Sequence, residues 1–136
     1  MFAKETELSY DRAFTYMSIE MSTMRSVFYL TGSRFFGTSR QDSDYDFFTA
    51  CDADTIRHLL DMGFVILSRH NYIDSNTLFV LRYISENLQV DVQIESDVLK
   101  KNRAQSIIKR CGQLAAGKLS DAGVKAIWNE VYSLLD

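Results

Sequence analysis

Two carboxylates and a Gly-Ser pair carry most of the chemical content of this 136-residue chain. Asp44 and Asp46 stand two positions apart in Ser43-Asp44-Tyr45-Asp46-Phe47-Phe48. On a strand, residues two apart share a face and lie about 6.6 Å apart along it. Both carboxylates then face one way while Tyr45 and Phe47 face a core. Side chains of that reach can converge on a pair of cations spaced about 3.5–4 Å apart. Magnesium is held this way, by a few carboxylates with substrate phosphates completing its shell. Upstream, an apolar run ends in Gly32-Ser33. A glycine there lets backbone approach a phosphate closely, and the N–H groups around Ser33 can cradle its oxygens. An acidic turn between two core strands is the competing reading.

The surrounding pattern supplies elements to position these groups. Residues from about Ser9 to Arg25 read as an amphipathic helix, with Phe14, Met17, Met21 and Met24 at steps of three and four. Ser26 to Thr31 reads as a buried strand. The polar loop GSRFFGTSRQDS follows, with room for a helical turn. Asp44 to Ala50 is a second strand, and Asp52 to Met62 a helix capped by Asp52 or Asp54 and stopped at Gly63. Its Ile56, Leu59 and Leu60 share a face. A short strand spans Phe64 to Leu67, and two longer ones, near Thr77–Ser85 and Leu88–Glu95, meet at a tight turn at Glu86–Asn87. In the last strand Leu88, Val90, Val92 and Ile94 alternate with polar residues, giving one apolar face. Two helices close the chain. Ala104, Ile107, Ile108 and Cys111 line the first; Ile127, Trp128, Val131, Leu134 and Leu135 line the second, which Ser120 caps. The order predicts an α+β, or α/β-like, fold with a small mixed β-sheet flanked by helices. A single domain is expected over residues 1–136, with the sheet over about 26–95 and the terminal helices over about 96–135.

The run Thr31-Gly32-Ser33, ten further residues, then Asp44-Tyr45-Asp46-Phe47 resembles the signature of the DNA polymerase β-like nucleotidyltransferase superfamily. Its extended form, GSRxxG…DSDYDF, looks closest to the small stand-alone, or minimal, nucleotidyltransferases. Thr31 stands where an apolar residue is usual, and Phe35 and Phe36 replace a commoner small residue, implying a bulkier phosphate loop. The resemblance covers residues 26–95 at the level of element order and implies a polymerase-β-like nucleotidyltransferase fold. It also implies a third carboxylate on a neighbouring strand, for which Asp91 in Leu-Gln-Val-Asp-Val-Gln-Ile-Glu is the candidate. On that basis Asp44, Asp46 and Asp91 bind two Mg²⁺ ions, and Asp91 assists deprotonation of an acceptor hydroxyl. Gly32 and Ser33 hold the triphosphate of an NTP, with Arg34 beside them. The implied activity is Mg-dependent transfer of a nucleoside monophosphate with release of pyrophosphate. The alternative is a non-catalytic nucleotide-binding or interaction module of the same fold, such as one partner of a toxin–antitoxin pair.

Other features carry weaker signals. Arg34 and Arg40 flank the proposed phosphate loop and could neutralise triphosphate charge, or be solvated loop residues. Lys100, Lys101, Arg103, Lys109 and Arg110 make the helix after Asp91 the most basic part of the chain. They read as a solvated face, from which one or two could reach a phosphate or a nucleic-acid acceptor. Tyr72, Phe79 and Tyr83 read as core. Asp42 and Glu95 lie near the proposed site without an assigned task.

Composition sets the frame. Lys plus Arg number 15 against 18 Asp plus Glu, a net charge of −3, and 46% of residues are hydrophobic, which argues against disorder. Proline is absent, excluding a proline-rich linker or ligand. The acidity counts against coating nucleic acid by charge alone. Part of the excess sits at Asp44, Asp46 and Asp91, where metal would neutralise it. Cys51 and Cys111, in no CxxC pattern, read as reduced and largely core; they have no metal-like spacing with His58 or His70. The charged N-terminus and the lack of a long apolar run point to a cytoplasmic protein without a membrane span. The acceptor stays open among RNA, protein and small-molecule hydroxyls, as does a homodimer or partner protein completing the site.

Overall fold

The computed structural model describes residues 27–40, 43–67, 74–85, 88–112, 114 and 119–136. The amphipathic stretch Ser9–Arg25, the turn at Glu86–Asn87, and Asp42, His70 and Tyr72 lie outside them. The described elements are β1 (Tyr29–Thr31), α1 (Gly32–Phe36), β2 (Tyr45–Ala50), α2 (Ala53–Asp61), β3 (Val65–Leu67), β4 (Thr77–Ser85), β5 (Leu88–Glu95), α3 (Val98–Cys111) and α4 (Asp121–Leu135). The helical turn expected within the Gly-containing loop is α1, and the strand expected from Asp44 begins one residue later.

The strands form one sheet in the order β1-β2-β5-β4-β3. β2 and β5 run parallel, and the other neighbours are antiparallel. The fold is therefore α+β with a mixed five-stranded sheet, as the element order predicted.

Alternation decides what each face does. One face buries Tyr45 and Phe47 of β2, Val90, Val92 and Ile94 of β5, and Leu81 of β4 against Leu59 of α2 and Phe64. α2 is held in place by Asp52, whose carboxylate accepts from the Asp54 N–H and the Thr55 hydroxyl. Leu60, expected on the buried face of that helix, is 40% exposed. The opposite face is covered by α3 and α4, where Ala104, Ile108, Trp128, Val131 and Tyr132 pack together with Phe36. Asp97 and Ser120 cap these helices by accepting from the Lys100 and Gly123 N–H groups. Leu134, at 77% exposure, faces outward instead of joining the core.

Where α3 crosses the sheet, the contact is ionic. Lys101 has no exposed surface, and its ammonium lies 3.0 Å from Glu95 and 3.2 Å from Asp74. It also donates to Gln93 Oε1 and Thr77 Oγ1. Lys101 is thus no part of a solvated face: it projects onto the polar alternation of β5, which supplies Gln93 and Glu95. Lys100, Arg103, Lys109 and Arg110 do lie at or near the surface. Burial raises the Glu95 carboxyl above its usual range, with Lys101 opposing that shift. The two cysteines depart from expectation, since both are exposed. Cys51 follows the end of β2, and Cys111 is the last residue of α3. Among the described residues no helix is long and apolar enough to cross a membrane.

Removing one partner from a buried charge cluster costs about 3–5 kcal/mol, because the others are left uncompensated. Lys101→Met should therefore lower the urea midpoint sharply at neutral pH. Adding Glu95→Gln and Asp74→Asn should recover much of the loss. A single variant as stable as the parent would mean that the cluster is not charged as drawn.

Candidate active site

The sheet register lines up a row of side chains across four strands. β1 pairs Thr31 with Asp46, β2 pairs Asp46 with Asp91 on parallel β5, and β4 pairs Arg82 with Asp91. Alternation puts all four on the face that α3 and α4 cover further along. The two carboxylates therefore sit side by side at one height, and Asp44 follows two residues before Asp46.

Asp91 is the most constrained of the three acids. Arg82 Nε donates to its Oδ1 at 2.8 Å and Nη2 to its Oδ2 at 3.0 Å, a bidentate pairing. The Asp91 side chain is 13% exposed and that of Arg82 34%. The hydrogen bonds from Arg82 to Asp91 hold the guanidinium more firmly protonated than usual. Gln89, two residues earlier on the same face, donates its amide to Asp44 Oδ2 at 2.9 Å and to Asp91 Oδ2 at 3.4 Å. One amide thus ties the first and third carboxylates together.

Asp46 lies between them, and among the described residues it takes no hydrogen bond from any side chain. Its carboxyl is pushed up from 3.8 to about 7. Burial is the main cause, and the like charges of Asp91 and Asp44 add to it, with Arg82 and Lys101 opposing.

Gly32 explains itself in this setting. Its φ is +71°, and a Cβ there would lie 2.4 Å from Asp46 Oδ2. The backbone can pass this close to the carboxylate only without a side chain. Ser33, next along α1, is half-buried. Arg34 is placed inward: it is 8% exposed, donates from Nη2 to the Ser43 carbonyl at 2.9 Å, and lies 3.8 Å over the Tyr45 ring. It thereby fixes the loop entering β2, and with it Asp44. Arg40 lies in that loop and is exposed, its N–H bonded to Ser43 Oγ. Thr31, the departure from the resembled motif, is 1% exposed, and among the described residues its hydroxyl has no hydrogen-bond partner.

The structure therefore brings Asp44, Asp46, Asp91 and Gly32 together, with Ser33 adjoining, and turns Arg34 to a supporting task. Two residues of the site went unassigned in the sequence. Arg82 is the only charged residue in the strand Thr77–Ser85, and Gln89 shares the polar face of Asp91; those were the available signals. Among the described residues no group of three or more His, Cys, Asp or Glu side chains is arranged to hold a metal ion. Comparison with protein-family models, with curated proteins and with solved structures gave no match.

Two outcomes are expected. A side chain at a left-handed position costs about 1–2 kcal/mol before any clash, so Gly32→Ala should destabilise the fold by at least that, read as a lower melting temperature. A carboxyl whose folded value exceeds its unfolded value holds its proton more tightly when folded. Its contribution to stability is then lost as pH rises from 3.8 to about 7. Asp46→Asn should accordingly raise the melting temperature of the metal-free protein by several degrees at pH above 7, and the gain should vanish at pH below about 4. A gain independent of pH would contradict the charge account.

Proposed function

We propose that this chain is a nucleotidyltransferase, moving a nucleoside monophosphate from an NTP to an acceptor hydroxyl with release of pyrophosphate. The observation that carries the reading is the registered pair Asp46 and Asp91 on adjacent parallel strands, with Asp44 tied in by Gln89. The polymerase-β-like fold is part of the same proposal.

The donor set suits Mg²⁺, a hard cation that prefers carboxylate oxygens. The raised Asp46 carboxyl, flanked by two like charges, marks a cluster that a divalent cation would relieve. Asp44 and Asp46 would hold the metal, with Asp91 joining by sharing its oxygens with Arg82. When bound, such ions neutralise the charge on the triphosphate and on the departing pyrophosphate. The chain's own residues do the positioning. Gly32 keeps backbone against Asp46 so that phosphate oxygens can come close to both. Ser33 offers its N–H and hydroxyl to those oxygens. Asp91, aimed by the two N–H groups of Arg82, accepts the proton of the acceptor hydroxyl. Arg34 holds the loop that sets Asp44. A cytoplasmic setting accords with Cys51 and Cys111, exposed thiols that persist in reducing compartments.

One observation favours a second reading, a non-catalytic binding or interaction module. Arg82 already supplies a cation to both Asp91 oxygens, which is what a site relieved of catalysis would retain.

Incubation with Mg²⁺, each α-labelled NTP and a panel of RNA, protein and small-molecule acceptors separates the two. The transferase should release pyrophosphate and label one acceptor class. Asp44→Asn and Asp46→Asn should each reduce labelling by about two orders of magnitude while leaving the circular dichroism spectrum unchanged. Full labelling by Asp44→Asn would overturn the mechanism, and silence across the panel would favour the module.

A further inference from the structure

Gly32 also borders a cavity of about 210 Å³. It is lined by Gly32, Ser33, Leu119 and Val124 of α4, together with the buried Phe36 and Trp128. Resting on the nucleotidyl-transfer reading, we propose that this cavity receives the base of the nucleotide.

Three observations point to that occupant. The first is continuity. Gly32 borders both compartments: a Cβ on it would meet Asp46 Oδ2 at 2.4 Å, and its backbone also lines the cavity. A ligand anchored by phosphates at the carboxylates reaches the cavity by passing a single residue. The second is charge. The described residues lining the cavity carry no charge, and most of them are apolar. The neutral end of a bipolar ligand finds apolar walls, with the hydroxyls of Ser33 and Thr38 at the polar side. The third is size. Pockets for drug-sized ligands run to about 300–1,000 Å³, so this one takes a single ring system and leaves sugar and phosphates outside. Phe36 and Trp128 meet edge to face, with ring centroids 6.1 Å apart. Both rings line the cavity, and an aromatic edge or face is a suitable contact for a flat π-system. Among the described lining residues the side-chain hydroxyls are those of Ser33 and Thr38, so these hold a base by shape and apolar contact more than by its hydrogen-bonding edges.

Trp128 is the chain's only tryptophan, so its fluorescence reports on the cavity directly. Titration of the full-length protein with adenosine, guanosine, cytidine and uridine, which lack phosphate, should change that emission saturably and without Mg²⁺. Inorganic tripolyphosphate should leave it unchanged. Val124→Phe fills the cavity and should weaken nucleoside binding about ten-fold or more. Leu119→Phe, at a position 46% exposed, is the second filling variant should the first not fold. In the transfer assay both should raise the KM for NTP and leave kcat largely intact.

Three results would overturn the inference: a nucleoside response unaltered in a folded filling variant, competition by tripolyphosphate, or a response to N-acetyl-tyrosinamide with none to nucleosides. The last would make the cavity a seat for a protein acceptor. An unchanged KM for NTP in both variants would sink the base site while leaving transfer itself standing. Saturable nucleoside binding with no transfer to any acceptor would sustain the base site and sink the transfer reading.

Discussion

Two carboxylates at the same height on neighbouring parallel strands repel one another, and the architecture around Asp46 and Asp91 is arranged about that repulsion. Parallel pairing of β2 and β5 fixes them side by side. Antiparallel β4 then sets Arg82 opposite Asp91, and Gln89 draws Asp44 into the same cluster. Gly32 brings backbone where no other residue type would fit. Burial, with the like charges of Asp91 and Asp44 adding to it, raises the Asp46 carboxyl to about 7.

The same sheet face carries a second charged cluster that is managed in the opposite way. Lys101, Asp74 and Glu95 are fully buried, and Thr77, Gln93 and Asn76 satisfy them further. Burial without compensation is costly, so such a cluster tolerates little rearrangement. Its position under α3 pins the helical layer to β5 beyond Asp91. The acids Asp44, Asp46 and Asp91 lie at the other end of the same face. Gln93 stands between the two on β5, one strand repeat from each.

How much of this was legible in the sequence follows from the range of the interactions. The pairing of Asp44 with Asp46 on one face needs only the two-residue period, and Phe47 on the core side confirms the phase. Leu88 to Glu95 shows the same alternation, so Asp91 was placed on the polar face correctly. Arg82 was out of reach, because nothing local says which residue of β4 lies against Asp91; that is a matter of register. Lys101 was misread for a related reason. A lysine within a basic run is exposed by default, and only the sheet face beneath it reveals carboxylates waiting there. Arg34 illustrates a third limit, since a guanidinium beside a phosphate loop and one stacked on Tyr45 present the same sequence. The cysteines were misplaced because a bias toward burial says nothing about a residue at the end of a strand or helix.

The sheet order has a consequence for how the molecule comes into being. β1 and β2 are close in the chain, as are β4 and β5, and each pair can form as a local unit. The β2–β5 pairing instead joins positions 45 apart, Asp46 and Asp91. Closing that loop carries an entropic cost that local pairings do not meet, and such contacts form slowly. The carboxylate cluster exists only once this central seam has zipped. On the ribosome, Asp44 and Asp46 emerge long before their partner strand, and they remain two ordinary acids until Asp91 and Arg82 arrive together. Assembly of the site and completion of the fold are therefore one event, and a half-made chain presents no triad of acids to stray cations or nucleotides.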